Sequence, residues 1–150
     1  MSIKREIIQP KNDMLNVSRN FKLPHSPGIK AGDFIFLSGM VSVDDKTGER
    51  NLGTVAQETH QILSNMKHML ESAGSSMERV VKINVLLYDM LEFENMNAVY
   101  RKFFPKDPPA RTTMLPNSSR DTRRPRAVTV YTRLCPAGAG SAPIFPAAYC

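Results

Sequence analysis

The segment that most constrains the fold is an amphipathic stretch spanning residues 54–74. Thr54 and Gln57 have the spacing of an N-terminal capping box, and Gly74 is placed to end a helix in the left-handed conformation. A helix with a single apolar face must bury that face against another layer, so the sequence predicts a helix lying on a sheet. The apolar positions recur at helical spacing: Val55, Ile62, Met66, Met69 and Ala73.

Runs rich in β-branched and aromatic residues supply the strands of that sheet. The pattern predicts strands over residues 3–9, 34–43 and 80–88, with the second of these buried on both sides. Residues 91–104 form a second amphipathic helix, and a further strand is expected after residue 110. This order predicts an α+β fold, a sheet with two helices packed on one face.

Two helices cover only one face of such a sheet, so apolar side chains on the opposite face must be buried in another way. The alternation predicts that Phe34, Phe36, Val85 and Leu87 lie on the uncovered face. An exposed apolar sheet face favours association, and a closed homo-oligomer is the simplest way to bury it.

Length and composition indicate one domain without a membrane span. The chain has 150 residues, of which 41% are hydrophobic, which suits one core. No apolar run approaches the ~18 residues that span a bilayer, and the N-terminus lacks a secretory signal. We therefore expect a cytoplasmic protein that does not bind membranes. The net charge of +6 is concentrated in residues 115–150, which hold five of 20 basic residues but only Asp121 among 14 acidic ones.

The sequence contains none of the common cofactor or metal motifs. There is no P-loop and no dinucleotide-binding glycine pattern. His60 and His68 lie eight residues apart on one helix, which favours solvent-facing side chains over metal ligands. Cys135 and Cys150 form neither a disulfide framework nor a zinc motif. We predict no cofactor and no metal site.

Arg111 is the residue that most strongly indicates a binding site. It follows the proline-rich bend at residues 105–109 and precedes the expected strand, so stiff backbone holds it in place. A guanidinium binds a carboxylate through two parallel hydrogen bonds. The alternative is an ordinary surface arginine.

Four segments together, residues 34–43, 70–74, 80–90 and 97–111, resemble the reactive intermediate deaminase family, also called RidA, RutC-like or endoribonuclease L-PSP proteins. The resemblance extends from about residue 3 to residue 113. It implies a chorismate-mutase-like subunit and a homotrimer whose sheets form a central barrel, with ligand clefts between adjacent subunits.

The resemblance also implies an activity. Family members hydrolyse reactive 2-imino and enamino acids, such as 2-iminobutanoate and 2-iminopropanoate, to 2-oxo acids and ammonia. Arg111 matches the catalytic arginine that binds the substrate carboxylate. The other implied substrate-binding residues are Asn97, Ser38 and Gly39, together with His25 and Thr113, which replace a family tyrosine and a family cysteine; Met40 replaces a family glutamine.

The resemblance ends at about residue 114. The family has a last strand of the form Val-Glu-Ile-Glu, whose second glutamate orients the attacking water, but residues 112–150 contain no glutamate. Residues 127–134 still alternate as a closing strand. We therefore predict one domain over 1–134, divergent over 115–134, and an irregular tail over 135–150. Either the reading frame changes near residue 114 or the C-terminus has diverged. DNA resequencing tests the first alternative, which is excluded if no other reading frame encodes a strand of the Val-Glu-Ile-Glu form.

Two other functions are compatible with the sequence. The missing glutamate permits a non-catalytic trimer that binds 2-oxo acids, which ligand binding without ammonia release would identify. The basic cluster at residues 120–126 permits an RNA-binding or endoribonuclease role. That role is the weaker one, because no aromatic residues for base stacking interrupt the cluster; RNA binding without salt dependence would count against it.

Overall fold

The computed structural model describes residues 4–115 and, as backbone only, residues 129–134. Within this part of the chain there are three α-helices: α1 (Val17–Asn20), α2 (Val55–Ser72) and α3 (Phe93–Phe103). The six strands of the same part are β1 (Arg5–Ile8), β2 (Gly28–Ala31), β3 (Phe34–Met40), β4 (Val80–Leu86), β5 (Ala110–Met114) and β6 (Thr129–Leu134).

All six strands form one sheet in the order β1-β2-β3-β6-β4-β5. Neighbouring strands are antiparallel except β4 and β5, which run parallel. β6 pairs with β3 on one side and β4 on the other, which confirms the strand predicted within residues 127–134. β5 confirms the strand expected after residue 110. The divergent segment therefore supplies an interior strand that joins two halves of the sheet.

The two long helices pack on one face of the sheet, as the sequence predicts. α2 begins with the predicted capping box: the Thr54 N–H donates to Gln57 Oε1 at 2.9 Å, and the Gln57 N–H donates to Thr54 Oγ1 at 3.3 Å. The apolar stripe of α2 faces the core, which also takes in side chains from β3, β4 and α3. The side chains of this core that are at most 1% exposed are Val55, Ile62, Leu63, Met66, Leu70, Ile83, Val85, Leu87 and Met96.

The prediction for the two faces of the sheet was wrong for two residues. Val85 and Leu87 are 1% and 0% exposed and lie under the helices, because their alternation with Ile83 places all three on the helix side. The prediction that residues 34–43 are buried on both sides was also wrong, since Phe36 is 38% exposed. The other face of the sheet does carry apolar side chains, among them Phe36 and Ile7.

The segment between β1 and β2 contains a helical turn that the sequence pattern missed. Its proline and polar residues predict only loop and turns, but Asp13–Leu15 forms a 3₁₀ turn that leads into α1. Asn16 caps α1, since its side chain accepts a hydrogen bond from the Arg19 N–H at 3.2 Å. Asparagine at such a position is a common N-cap, and that was the available signal.

Several sequence-based predictions lie outside the described residues. They concern Asp121, the basic cluster at 120–126, both cysteines and the tail over 135–150. Within the described residues, no helix combines the length and apolar character needed to cross a membrane.

Candidate functional site

Arg111 lies on β5 with its side chain on the helix-covered side of the sheet, where its register partner is Ile83. Its guanidinium carbon is 4.6 Å from the centre of the Tyr100 ring and 5.5 Å from that of Phe93. Both distances are within the range of cation–π interactions. One guanidinium nitrogen also donates to Met96 Sδ at 3.7 Å. Two aromatic rings and a thioether thus hold the cation in place.

Arg111 has capacity for an anionic ligand. Among the described residues, no carboxylate oxygen lies within 4.0 Å of its guanidinium. A guanidinium carries five N–H donors, and the contact with Met96 uses one of them. Four donors of a fixed cation therefore have no acceptor within this part of the chain.

Asn97 and Arg111, which the resemblance assigns to one substrate-binding site, line the same pocket. The cavity is ≈ 340 Å³, large enough for a small metabolite. Pro108 and Pro109 form part of its wall and immediately precede β5. The proline-rich bend therefore both shapes the pocket and directs Arg111 into it. The complete lining is Asn97, Tyr100, Arg101, Phe104, Pro108, Pro109 and Arg111.

Glu94 adds a negative charge at the edge of this pocket. Its Oε1 accepts from Asn97 Nδ2 at 3.1 Å, and its Oε2 accepts from Arg101 Nη2 at 3.2 Å. The hydrogen bonds from these two residues, assisted by the positive charge of Arg111, lower the pKa of the Glu94 carboxyl. Sequence reasoning missed Glu94, although the spacing of residues 94, 97 and 101 on one helix face was a signal for it.

Tyr100 is a neutral group beneath the Arg111 cation. Burial raises the pKa of its hydroxyl to about 12, against the smaller opposing effect of the Arg111 charge. The side chain is 6% exposed, and its hydroxyl has no hydrogen-bond partner among the described residues. The helical spacing of Phe93, Met96, Tyr100 and Phe103 predicts that Tyr100 faces the core, which is correct, but it gives no indication of the contact with Arg111.

A second group of predicted site residues lies elsewhere on the sheet. His25, Ser38 and Gly39 line a cavity of ≈ 30 Å³, about the space of one water molecule. His25 Nδ1 is 2.9 Å from Ser18 Oγ, a partner that the sequence did not indicate. Ser38 Oγ donates to the Ser26 carbonyl at 2.6 Å. Met40, which replaces the family glutamine, lines the same cavity.

The two groups do not meet within one chain. β3 and β5 are separated by β6 and β4, so three strand spacings of roughly 4.8 Å place about 14 Å between them. Thr113 belongs with Arg111, two residues further along β5 on the same face. Arg111 and Asn97 therefore form one group, with Thr113 on the same face of β5 but outside the pocket lining, and His25, Ser38 and Gly39 form another.

The remaining histidines lie on the surface of α2, as predicted. His60 packs against the Phe103 ring at 5.4 Å between centroids, and His68 Nδ1 lies 3.8 Å from a Glu71 oxygen. In the part of the chain that the structure describes, no cluster of three or more His, Cys, Asp or Glu side chains is placed to bind a metal ion.

Comparison with known families is decisive for the family assignment. The model of the Endoribonuclease L-PSP family matches residues 19–116, a span that includes the Arg111 pocket and the residues His25, Ser38 and Gly39. This chain belongs to that family. The match ends two residues after Met114, where the sequence predicts divergence.

Curated relatives and a solved structure agree with this assignment. The chain is 44% identical over 91 residues to a RutC family protein of Pyrococcus horikoshii, covering 61% of this chain and 72% of the relative. It is 33% identical to the chloroplastic Reactive Intermediate Deaminase A of Arabidopsis thaliana, covering 75% of this chain and 57% of that protein. The crystal structure of E. coli TdcF with bound serine has a TM-score of 0.65 and 25% identity, covering 75% of this chain and 87% of that one. The family therefore includes reactive intermediate deaminases, and the fold is shared.

Proposed function

We propose that this protein is a deaminase that hydrolyses 2-imino and enamino acids to 2-oxo acids and ammonia. The observation that carries the proposal is the Arg111 guanidinium, fixed against two aromatic rings in a pocket of metabolite size. A fixed guanidinium with free donors suits the carboxylate that all these substrates share. The relative named Reactive Intermediate Deaminase A supports the reaction class.

The reaction requires little from the protein beyond positioning the substrate and one water molecule. Water adds to the imine carbon, the C=N electron pair passes to nitrogen, and the resulting carbinolamine loses ammonia to leave the 2-oxo acid. Because imines hydrolyse readily in water, orienting the substrate and one water molecule accounts for most of the acceleration required. In this proposal Arg111 binds the carboxylate, and Asn97 contacts the substrate beside it.

We further propose that the protein is a homotrimer with a central barrel and that its sites lie between adjacent subunits. Two observations support this assembly. The apolar sheet face includes Phe36, at 38% exposure, and the two groups of predicted site residues are about 14 Å apart in one chain. A neighbouring subunit that brings its His25 group to the Arg111 pocket would complete one site. Analytical ultracentrifugation tests the assembly: a monomer at assay concentrations would refute it.

A coupled assay tests the activity. An amino-acid oxidase generates the imino acid in the presence of a semicarbazide trap, and the protein competes with the trap by releasing the 2-oxo acid. We expect release faster than the spontaneous rate and proportional to protein concentration. Folded protein that binds 2-oxo acids but leaves the rate unchanged would favour a non-catalytic binding role.

A further inference from the structure

The Arg111 pocket is lined by positive charge, and a carboxylate that is not among its lining residues lies beside it with no assigned role in the function proposed above. Arg111 lines the pocket, and the Glu94 carboxylate contacts two other lining residues, Asn97 and Arg101. We infer that Glu94 binds the nitrogen of the ligand, so that the pocket selects zwitterionic 2-amino and 2-iminium carboxylates over acids without a cationic nitrogen. This inference rests on the proposed binding of the substrate carboxylate by Arg111.

The Glu94 side chain is 73% exposed, and its carboxylate is oriented by two hydrogen bonds on the surface of α3. Residues 94, 97 and 101 lie on one face of α3, which brings their side chains together. One oxygen accepts from Asn97 at 3.1 Å and the other from Arg101 at 3.2 Å. A carboxylate offers about four acceptor sites, so these two hydrogen bonds leave sites for an N–H donor from a ligand.

The charge environment keeps Glu94 anionic and connects it to Arg111. Its pKa lies below the usual range, through its two hydrogen bonds and the nearby charges of Arg101 and Arg111. Asn97 links the two charged groups, because it lines the pocket together with Arg111 and donates a hydrogen bond to Glu94. A small ligand with a carboxylate and a cationic nitrogen on one carbon matches this pair of charges.

The selection also has a chemical consequence. A protonated imine is more electrophilic than a neutral one, and a carboxylate beside its nitrogen favours the protonated form. The 2-oxo acid product has no N–H group, so it makes no contact of this kind with Glu94. Binding of the reactive iminium and release of the product are therefore favoured by the same residue.

An isosteric ligand pair isolates this interaction. L-alanine and L-lactate differ only in an ammonium in place of a hydroxyl, and both keep the carboxylate for Arg111. Calorimetric titration of each ligand into the intact protein gives the ratio of their affinities. We expect L-alanine to bind more tightly, and Glu94→Gln to reduce this preference by about twofold to fivefold, as for an exposed charge pair. L-lactate should bind the variant as tightly as wild type or more tightly.

The control is Glu71→Gln, which removes another ion-paired carboxylate, on α2, and should leave the ratio unchanged. Glu94→Ala serves as a second variant and should reproduce the loss, with folding checked by circular dichroism. A wild type without preference for L-alanine, or a preference that survives in both Glu94 variants, would overturn the inference. The coupled assay on the same samples separates the two proposals. If wild type hydrolyses imino acids but the Glu94 variants keep the wild-type ratio of L-alanine to L-lactate affinity, only the role of Glu94 is refuted. If the Glu94 variants lose this preference but wild type does not hydrolyse imino acids, only the deaminase activity is refuted.

Discussion

The Arg111 guanidinium carbon lies 4.6 Å from the centre of the Tyr100 ring. This contact joins β5 to α3 and places a permanent charge against a side chain that is 6% exposed. A carboxylate would neutralise the charge of Arg111, whereas the ring attracts the guanidinium and leaves its charge in place. The cation therefore keeps its capacity for a ligand anion, and this arrangement leads to the first prediction.

Replacing Tyr100 by leucine should weaken substrate binding. Loss of the aromatic face removes about 0.5–2 kcal/mol of cation–π interaction, so we expect KM for the imino acid to rise about twofold to 30-fold. Tyr100→Phe retains the ring and should keep KM near the wild-type value. Steady-state kinetics on both variants distinguishes the ring from the hydroxyl. Equal KM values for leucine and phenylalanine at this position would show that the ring does not hold Arg111.

The Tyr100 hydroxyl should affect stability at alkaline pH. Its pKa is raised to about 12 in the folded protein, against about 10 in an unfolded chain. The folded state favours the neutral form, so this stabilisation is complete below pH ~10 and is lost as pH rises from ~10 to ~12. It amounts to at most about 3 kcal/mol. Urea unfolding between about pH 9 and pH 11.5 should show a smaller loss for Tyr100→Phe than for wild type; parallel losses would contradict the assignment.

The capping box should contribute measurably to the stability of α2. Thr54→Ala removes the acceptor for the Gln57 N–H, and N-cap losses of this kind cost about 1 kcal/mol of unfolding free energy. Thr54→Ser keeps the hydroxyl and is the matched control. In chemical denaturation, the free energy of unfolding of Thr54→Ser should be near that of wild type, and that of Thr54→Ala should be lower than both. Equal stabilities of the alanine and serine variants would mean that the Thr54 hydroxyl does not stabilise α2.

A charge at Phe36, on the face of the sheet opposite the helices, should disrupt assembly. Phe36→Lys places an ammonium where the proposed trimer buries an aromatic ring, a costly burial without a partner charge. We expect size-exclusion chromatography with light scattering to show a smaller species than wild type. Leu91→Lys changes a residue that is 93% exposed and should leave the mass unchanged. A trimer that survives Phe36→Lys would exclude this face as the interface.

The helices and most strands could be predicted from the sequence because each is set by a local pattern. The Thr54 cap and the apolar stripe of α2 follow from spacing, whereas the pairing of Asn97 with Arg111 was implied by the family resemblance. The orientation of Val85 and Leu87 could not be predicted in the same way. Alternation shows that two residues share a face, but only the packing of the helices decides which face is covered.

The site could be predicted less completely than the fold. Arg111 and Asn97 lie on different elements that the family motif links, and the structure brings them together. Ser18 was missed because its contact with His25 depends on side-chain directions that sequence spacing leaves open, whereas Glu94 was missed although its spacing from Asn97 and Arg101 was an available signal. Glu58 is a similar case, a carboxylate that is 2% exposed on α2, whose Oε1 accepts from the Gly53 N–H at 3.3 Å.

The central claim is that the Arg111 pocket hydrolyses imino acids, and one comparison tests it most directly. The coupled assay is run on wild type, Arg111→Ala and Arg19→Ala, the last removing an exposed arginine that pairs with Asp13 at 3.5 Å. The account predicts acceleration by wild type and Arg19→Ala, and a loss of at least about 100-fold in kcat/KM for Arg111→Ala, because the substrate carboxylate loses a two-point charged contact. Arg111→Ala protein that is folded and retains wild-type hydrolysis would contradict the account.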